Sequence, residues 1–321
     1  MKGIRILLDG NNTSFRANSV TELYTKSGVR TSAIMGTLNI AHSVIESLTK
    51  RYSLPVNEVI FAWDKGHSKR RTDLYPEYKA NRHKEERTEE EKQFMKEFIE
   101  QANVLYENLP LFGMKCIRKD GWEGDDLIYC VAKTLQKRYP EDSVVVVSTD
   151  EDFHQLVTKN IDVYSPIKEV LYTRSNYKEI TEIDPELFLT YKILKGDSSD
   201  GIPGIAGIGD KTAKSLVNTY GDMSGLLSSN NREQLLKSKR TAKIFTTEGL
   251  ETLSRNDKLI NLDYVDTAPI QSDVDEVLDE EPFVDNKGCT TFLMKYQLTS
   301  ILTKWRTWSN TFLKCSENWF N

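Results

Sequence analysis

Three aspartates stand at the ends of short apolar segments, in positions suited to a shared site for metal ions or phosphate. The segments cover residues 4–8, 59–63 and 144–149, and Asp9, Asp64 and Asp150 follow them directly. Unbroken apolar segments of this length are typical of strands buried on both faces of a parallel sheet. Ligands of such sheets bind beyond the carboxyl ends of the strands. One such aspartate is usually a turn residue or a helix N-cap, whereas three at matching strand ends indicate one site.

Six further acidic residues are spaced so that they could face the same site. Two of them lie three positions apart in the first turn of a predicted helix, where acids also stabilise the helix N-terminus. Asp152 would point the same way as Asp150 if the chain is extended there. Asp197 and Asp200 would share a face if their segment is a helical turn. The six are Glu123, Asp125, Asp126, Asp152, Asp197 and Asp200.

Nine carboxylates in one cleft would repel each other and bind protons unless cations held them. Ligation by oxygen alone favours hard divalent ions, so the acids predict Mg²⁺, with Mn²⁺ as a substitute. Two such ions about 4 Å apart suit phosphodiester hydrolysis, because one lowers the pKa of the attacking water and both neutralise the transition state. The predicted chemistry is therefore metal-dependent cleavage of phosphodiesters.

A glycine-rich block at residues 196–216 contains the last acidic pair. Its glycines let the main chain pass close to a ligand, and the helix that follows offers free amide groups and lysine side chains. Phosphate is the natural ligand, although a tight connection between two helices would use the same glycines. A nucleotide-binding P-loop is excluded, since Asp210 stands where its lysine must follow. The residues predicted to contact phosphate are Gly204, Gly207, Gly209, Lys211 and Lys214.

Cations and tyrosines are interleaved in the segment 65–84, directly after Asp64. Such a pattern can bind phosphates and stack on bases. By charge alone a solvated loop is the simpler interpretation, but the position next to Asp64 favours a role at the site. The residues in question are Lys69, Arg70, Arg71, Tyr78, Lys79 and Arg82.

Composition limits the class of protein. The chain has 321 residues with 48 acidic and 43 basic side chains, so overall charge does not indicate a nucleic-acid partner. Its four cysteines and four histidines form no zinc or disulfide pattern, which fits a reducing cytoplasm. The first apolar segment is too short for a signal peptide, and no segment is long enough to span a membrane. A soluble cytoplasmic protein without a membrane partner is predicted.

The order of these motifs resembles the 5′-nuclease family, which includes flap endonucleases, the 5′-nuclease domain of bacterial DNA polymerase I, and stand-alone phage exonucleases and ribonucleases H. The resemblance runs from Asp9 to about Leu262 and is most specific in LYPEYKANR at 74–82 and GDSSDGIPGIAGIGDKTA at 196–213. Between them lie EGDD at 123–126 and STDEDFHQLV at 148–157. Gly201 and Asp210 depart from the family pattern, and Asp210 adds a negative charge near the predicted phosphate contact.

The resemblance implies an α/β fold with a mainly parallel central sheet flanked by helices, a PIN-like 5′-nuclease fold. It places a catalytic domain at residues 1–180, with a basic helical arch at about 65–105. A helical domain at 181–321 would contain a helix-hairpin-helix DNA-binding element at about 196–220 and an aromatic C-terminal tail.

By matched position, the resemblance implies two metal sites. Asp9, Asp64, Glu123, Asp125 and Asp126 would serve the more catalytic one, and Asp150, Asp152, Asp197 and Asp200 the second. Lys79 and Arg82 would be catalytic residues that contact the scissile phosphate, and Tyr78 would stack on a base. The helix-hairpin-helix would grip the duplex backbone, with K⁺ bound by main-chain carbonyls.

The implied activity is that of a 5′-3′ exonuclease or flap endonuclease, including ribonuclease H activity, that removes RNA primers and flaps in DNA replication. Its substrate would be branched, nicked or RNA-primed duplex DNA, cut by a monomer of the phage type. The aromatic residues Phe312, Trp319 and Phe320 are expected to pack as core, with docking to a sliding clamp or single-strand-binding protein as the alternative. Two other functions stay open: a PIN-like ribonuclease, which would not need the hairpin, and an inactive DNA-binding scaffold.

Overall fold

A six-stranded β-sheet forms the centre of the computed structural model, which describes residues 2–80 and 88–312. The strands are β1 (Ile4–Asp9), β2 (Val56–Ala62), β3 (Lys115–Ile117), β4 (Ser143–Val147), β5 (Ile161–Ser165) and β6 (Val170–Tyr172). Their order is β3-β2-β1-β4-β5-β6; the first five run parallel, and β6 runs antiparallel to β5. The prediction of a mainly parallel central sheet is confirmed.

Helices cover both faces of this sheet and make up most of the described chain after β6. Those before β4 are α1 (Gly10–Val20), α2 (Ser32–Tyr52), α3 (Lys69–Leu74), α4 (Glu89–Asn108) and α5 (Gly124–Arg138). Those after β6 are α6 (Tyr177–Thr181), α7 (Phe188–Lys195), α8 (Asp210–Tyr220), α9 (Met223–Leu226), α10 (Ser229–Leu236), α11 (Thr247–Ile260), α12 (Gln271–Asp279), α13 (Asn286–Lys295), α14 (Thr299–Leu302) and α15 (Trp305–Trp308). Short 3₁₀ helices span Leu109–Leu111, Glu151–Leu156, Pro185–Leu187, Thr241–Phe245, Leu262–Tyr264 and Ala268–Ile270.

Burial of the strands on both faces explains their apolar sequences. Every residue of β1 is buried, and alternate side chains enter different cores. Leu7 packs in the core that contains Leu127 of α5, whereas Leu8 packs in the core that contains Leu38 of α2. Side chains that alternate between two apolar layers require an unbroken apolar strand.

The strand register brings the acidic strand ends to one edge of the sheet. Asp9 is the last residue of β1 and lies opposite Ala62, the last residue of β2. Leu8 lies opposite Val147, the last residue of β4. Asp64 and Asp150 follow β2 and β4 within three residues, so the three strand-end aspartates share this edge.

Two acidic pairs have a different local backbone from the predicted one. The segment after Asp150 is not extended but forms the 3₁₀ helix Glu151–Leu156, because the Asp150 carboxylate accepts a hydrogen bond from the Asp152 amide. Asp197 is not in a helical turn. It lies in strand β7 (Gly196–Asp197), which pairs with β8 (Ile202–Pro203) across a tight turn that contains Asp200.

The hairpin and the C-terminal helices follow the sequence-based expectation more closely. The glycine hairpin, residues 196–209, leads into α8 as predicted. Phe312 and Trp308 are buried against Phe112, so these aromatic residues pack on the body of the protein. Trp319 and Phe320 lie outside the described residues. Within residues 2–80 and 88–312, no helix is both long and apolar enough to cross a membrane.

Candidate active site

Asp9 is fixed where β1 passes into α1. Its carboxylate caps α1 by accepting a hydrogen bond from the Asn12 amide at 2.9 Å, and it accepts another from the Ser148 hydroxyl at 3.1 Å. Asp64 is linked to the same place, because its amide donates to Asn11 at 2.9 Å. Neutral donors thus hold the Asp9 carboxylate at the sheet edge, and the Asn11 side chain fixes the main chain of Asp64 beside it.

Four of the predicted acids interact through their charges and are called the central carboxylates: Asp9, Asp64, Asp125 and Asp150. Burial raises the pKa of Asp9 to about 7, and the charges of Asp64 and Asp150 contribute to the rise. Burial likewise raises the pKa of Asp125 well above its usual value, with Asp150 as the strongest neighbouring charge. The α5 N-terminus joins the group through the Gly124 amide, which donates to the Asp64 carboxylate. These side chains concentrate negative charge that a cation would relieve.

The donor set fits a hard divalent ion, because it consists of carboxylate oxygens, and neighbouring negative charges contribute to the raised pKa values of Asp9 and Asp125. The ligand geometry itself is not formed. Within the described ranges, no three His, Cys, Asp or Glu side chains stand close enough together to hold a metal ion. The two metal sites therefore stay a prediction of the sequence.

A lysine that the sequence analysis missed joins Asp152 to Asp197. Lys192 of α7 is 7 % exposed, and its Nζ lies 2.8 Å from a carboxylate oxygen of each aspartate. Burial still raises the pKa of Asp152 to about 7, although Lys192 opposes the rise. Lys192 lies in the mainly apolar sequence of α7, but Lys195 lies there as well, so the sequence alone does not mark which lysine is buried.

Glu123 is surrounded by donors from the arch root, which we define as residues 69–80. Its carboxylate accepts hydrogen bonds from Arg71 at 2.9 Å, Tyr78 at 3.0 Å and Lys79 at 3.0 Å. Burial alone would raise the pKa of Glu123, but Lys79 and Arg71 hold it below its usual value. Lys79 is also tied to the glycine hairpin, because its amide donates to the Asp200 carbonyl at 2.8 Å.

The predicted DNA contacts of Arg71 and Tyr78 are corrected by this arrangement. Arg71 is 3 % exposed and Tyr78 is 6 % exposed, and both polar groups point inward to Glu123. Neither side chain is accessible to a phosphate or a base. The charge pattern of the sequence could not reveal this burial, because a basic residue in a buried ion pair and one in an exposed loop look the same in the sequence.

Other basic residues of the two predicted DNA-binding segments remain accessible to different degrees. Lys69 is largely exposed beside Asp73, whereas the Arg70 guanidinium donates to the Lys258 carbonyl of α11. Lys211 is exposed at the start of α8. Lys214 pairs with Glu182 at 2.9 Å and is only partly accessible. Arg82 lies outside the described residues.

The three hairpin glycines that were predicted to contact phosphate have different structural surroundings. A Cβ on Gly204 would lie 2.1 Å from the Lys195 carbonyl oxygen, so this glycine is required by packing on α7 rather than by a ligand, which corrects the prediction. Gly207 has a φ of +87°, a conformation that side chains other than hydrogen disfavour. A Cβ on Gly209 would meet nothing within 4 Å, so its outer face is open. Only Gly207 and Gly209 are left as candidates for phosphate approach.

Asp210, which departs from the family pattern, has a structural role in the fold. It is the first residue of α8, and its carboxylate accepts a hydrogen bond from the Tyr191 hydroxyl of α7 at 2.6 Å. This bond and the nearby Lys214 lower the pKa of Asp210. The negative charge thus ties α8 to α7.

The pKa values of Asp9 and Asp152 predict how the metal-free protein responds to pH. Both are raised from 3.8 to about 7, so the folded state binds more protons than the unfolded state between these values. The free energy of unfolding should therefore fall as pH rises from 5 to 8, and we expect the Tm in EDTA to drop by roughly 5 °C or more. Thermal unfolding measured across this range checks it.

Mg²⁺ should restore most of this loss at pH 8, where the carboxylates are ionised, and little at pH 5. The Asp9→Asn variant serves as the control, because its Tm in EDTA should depend less on pH than that of the wild type. A Tm that is equal with and without Mg²⁺ at pH 8 would contradict metal binding.

Comparison with known proteins finds a family model for each of two consecutive parts of the chain. Residues 5–183 match the family model "5′-3′ exonuclease, N-terminal resolvase-like domain", and residues 183–282 match "5′-3′ exonuclease, C-terminal SAM fold". A 5′-3′ exonuclease of Bacillus subtilis is 30% identical over 266 residues, 80% of this chain and 82% of that protein. DNA polymerase I of Rhizobium leguminosarum is 29% identical over 275 residues, and the matched part is 25% of that polymerase. The chain thus spans about a quarter of this relative's length.

Solved structures from bacteriophage T5 share the fold over nearly the full length. The T5 D15 protein co-crystallised with metal ions has a TM-score of 0.62 and 25% identity, with 98% of this chain and 99% of that chain covered. The same values describe the T5 D15 flap endonuclease in a pseudo-enzyme-product complex with DNA and metal ions. A family model that matches more than half of the sequence, together with these relatives, shows that the chain belongs to the 5′-3′ exonuclease family.

Proposed function

We propose that this chain is a divalent-metal-dependent 5′ nuclease that hydrolyses phosphodiesters near the 5′ ends of flaps, nicks and RNA-primed duplexes. The observation that carries the proposal is the group of central carboxylates at the sheet edge, where burial and the neighbouring negative charges raise the pKa of Asp9 and of Asp125. The T5 relative whose structure contains DNA product and metal ions supports it. Removal of RNA primers in replication, with Mg²⁺ as the ion, is the corresponding role.

Two divalent ions would supply a water of lowered pKa and neutralise the charge of the transition state. Within the central carboxylates, Asp9, Asp64 and Asp125 would hold one ion, and Asp150 would face the second together with Asp152, Asp197 and Asp200. The chain's own contribution is to hold these oxygens in place through Ser148, the capping amides and Lys192.

Lys79 of the arch root lies beside one acid of each predicted metal site. Its Nζ lies 3.0 Å from Glu123 and 3.8 Å from Asp200, and the charge of Asp125 contributes strongly to the rise of its pKa. A protonated amine at this place can stabilise negative charge that develops on a phosphate. We propose this as its role, in line with the predicted contact to the scissile phosphate.

The experiment that tests the function compares a 5′-labelled flap, a nick and an RNA-primed duplex with Mg²⁺, with Mn²⁺ and with EDTA. We expect short 5′ products from at least one substrate with either ion and none with EDTA. A protein that cleaves single-stranded RNA but none of the three duplexes would instead be a PIN-like ribonuclease. A protein that binds duplex DNA without cleaving it under any condition would be an inactive scaffold.

Lys211 is expected to contribute to affinity for the duplex and not to the chemical step. It is exposed at the N-terminal turn of α8, where helix amides and a cation can bind the same phosphate. Lys211→Ala should weaken binding in EDTA and reduce the slope of log K against log salt by about one, as loss of one phosphate contact does. Fluorescence anisotropy at several salt concentrations measures both quantities.

Lys237→Ala is the matched control, because Lys237 is an exposed lysine directly after α10. Gly209→Ala tests whether DNA approaches the open face of the hairpin, since the added methyl group meets no protein atom within 4 Å. Lys211→Ala with unchanged affinity and salt slope would show that α8 does not contact phosphate. Unchanged duplex affinity of Gly209→Ala would exclude a close approach of DNA at that residue.

A further inference from the structure

A group of basic side chains that the sequence analysis did not single out lies between α10 and α11. Residues 234–247 contain four cations and no acid, although the whole chain has more acidic than basic residues. Lys239, Arg240 and Lys243 of this segment are exposed, and we call these three residues the basic patch. In the part of the chain that the structure describes they form no ion pair, unlike Lys214 of α8. Their charge is therefore accessible to a partner.

Packing holds the segment that carries the basic patch in a fixed place on the protein. Leu235 before the patch and Ile244 after it are buried in the same core as Ile208 of the glycine hairpin. The Lys243 carbonyl packs against the start of α11 so closely that it leaves no room for a Cβ on Gly249. Because the segment is already ordered, its side chains can bind a partner without the entropy loss of fixing a flexible loop.

Arg240 places the basic patch directly beside the glycine hairpin. Its Cγ lies 3.5 Å from the position that a Cβ on Gly207 would take, and its guanidinium donates a hydrogen bond to the Thr212 hydroxyl of α8 at 3.4 Å. Between these two contacts in the chain lie Gly209, whose outer face is open, and the exposed Lys211. The patch therefore adjoins the part of the hairpin that remains a candidate for phosphate contact.

The composition of the basic patch favours the backbone of a duplex over a single strand. Three cations within residues 239–243 can neutralise phosphates, and the residues between them, Thr241 and Ala242, are not aromatic. Surfaces that bind single strands combine cations with aromatic rings on which bases stack. A rigid set of cations without such rings is suited to the regular phosphate backbone of duplex DNA.

We propose that Lys239, Arg240 and Lys243 form a second phosphate-binding surface, which extends the contact of the glycine hairpin along duplex DNA. The inference rests on the proposed function, since it assigns further substrate contacts to the same nuclease. In the described structure, no hydrogen bond or ion pair joins the patch to a central carboxylate. The patch would therefore contribute to affinity for the duplex and not to the chemical step.

The test measures binding of the full chain to a fluorescent duplex in EDTA at several salt concentrations. Each phosphate contact contributes about 0.9 to the slope of log K against log salt, which corresponds to about eightfold in affinity at 0.1 M salt. We expect Arg240→Ala to lose one such contact. The triple variant with Lys239→Ala, Arg240→Ala and Lys243→Ala should lower the slope by about 2 to 3. Arg240→Lys should keep most of the slope, because it keeps the charge.

Lys237→Ala is the matched control, because the Lys237 amine contacts Gln234 of α10 at 3.0 Å and lies outside the patch. Its affinity and salt slope should equal those of the wild type. Unchanged duplex affinity and salt slope in the triple variant would overturn the proposal. An equal loss of affinity for a single strand of the same sequence would assign the patch to the flap and would overturn it as well. Thermal unfolding of each variant verifies that it is folded.

Failure of the inference is distinguishable from failure of the proposed function. A wild-type protein that binds no duplex and cleaves none of the three substrates refutes the function itself. A wild-type protein that binds and cleaves, with the triple variant equal to it in duplex affinity and salt slope, refutes only the role of the patch. The single-turnover cleavage rate of the triple variant at saturating protein should equal that of the wild type, and a lower rate would contradict a role in binding alone.

Discussion

Asp150→Asn is expected to lower the single-turnover rate of flap cleavage by about 10²- to 10³-fold, the loss typical of removing one group that stabilises charge in a transition state. Asp150 is chosen because its charge raises the pKa of three other acids, Asp9, Asp125 and Asp152. The charge of Asp150 thus acts both on the other central carboxylates and on Asp152, which Lys192 joins to Asp197. The measurement is the release of 5′-labelled product from a flap at saturating enzyme with Mg²⁺.

Duplex affinity in EDTA should stay equal to that of the wild type or rise slightly, because the change removes a negative charge and no phosphate contact. The adjacent Glu151→Gln is the matched control. Glu151 is exposed, and its carboxylate lies 3.9 Å from Lys168 Nζ. Wild-type cleavage by Asp150→Asn would exclude the metal mechanism, whereas equal losses in both variants would point to a disturbed 3₁₀ helix.

The sheet and its acidic edge could be predicted because they depend on patterns that local sequence contains. Strands buried on both faces must be apolar throughout, and Asp9, Asp64 and Asp150 mark where that requirement ends. The convergence of the three follows from parallel pairing alone. Their partners, such as Ser148, follow from the loops that the pairing brings together.

The local backbone of the remaining acids was harder to predict, since short-range hydrogen bonds decide it. The Asp150 carboxylate binds the amide two residues later and winds the chain into a 3₁₀ helix. The Asp197 carboxylate binds the Ser199 amide at 2.8 Å in the same way and supports a turn. Aspartate favours such turns as much as it favours metal sites, so residue type does not separate the two.

The burial of basic residues could not be predicted from sequence at all. Arg71 and Lys192 carry the same charge as exposed neighbours in their segments, but each is enclosed by carboxylates from distant parts of the chain. Gly204 is a similar case, because its close neighbour is the main chain of α7. Only tertiary packing distinguishes these residues from those that contact a ligand.

Lys192→Met is expected to destabilise the metal-free protein by about 3 kcal/mol at pH 8, because it leaves two largely buried carboxylates without their shared cation. The Lys192 side chain is 7 % exposed, and those of Asp152 and Asp197 are 18 % and 8 % exposed. Methionine keeps the length and apolar stem of lysine, so the change tests the charge more than the packing. Urea unfolding of wild type and variant in EDTA gives the free-energy difference.

The difference should be smaller at pH 5 than at pH 8. The pKa of Lys192 is raised by Asp152 and Asp197 despite its burial, so its contribution in the wild type is fully present below the pKa of the unfolded lysine and is constant across this range. In the variant, the two carboxylates lose the charge that opposed their protonation, so the pKa of Asp152 rises further and that of Asp197, which Lys192 holds below its usual value, rises as well. Protonation at pH 5 then relieves the repulsion between Asp152 and Asp197.

Lys195→Met, three residues later on α7, is the control, because Lys195 contacts the Tyr191 hydroxyl and pairs with neither aspartate. Its free energy of unfolding should differ little from that of the wild type, and this difference should not depend on pH between 5 and 8. An equal loss at both pH values in Lys192→Met would mean that lysine packing, and not the charge bridge, stabilises this region. Because Lys192 joins the 3₁₀ helix after β4 to the hairpin strand β7, a confirmed charge bridge would also show that the two halves of the candidate site are held together by a buried ion triad before any metal binds.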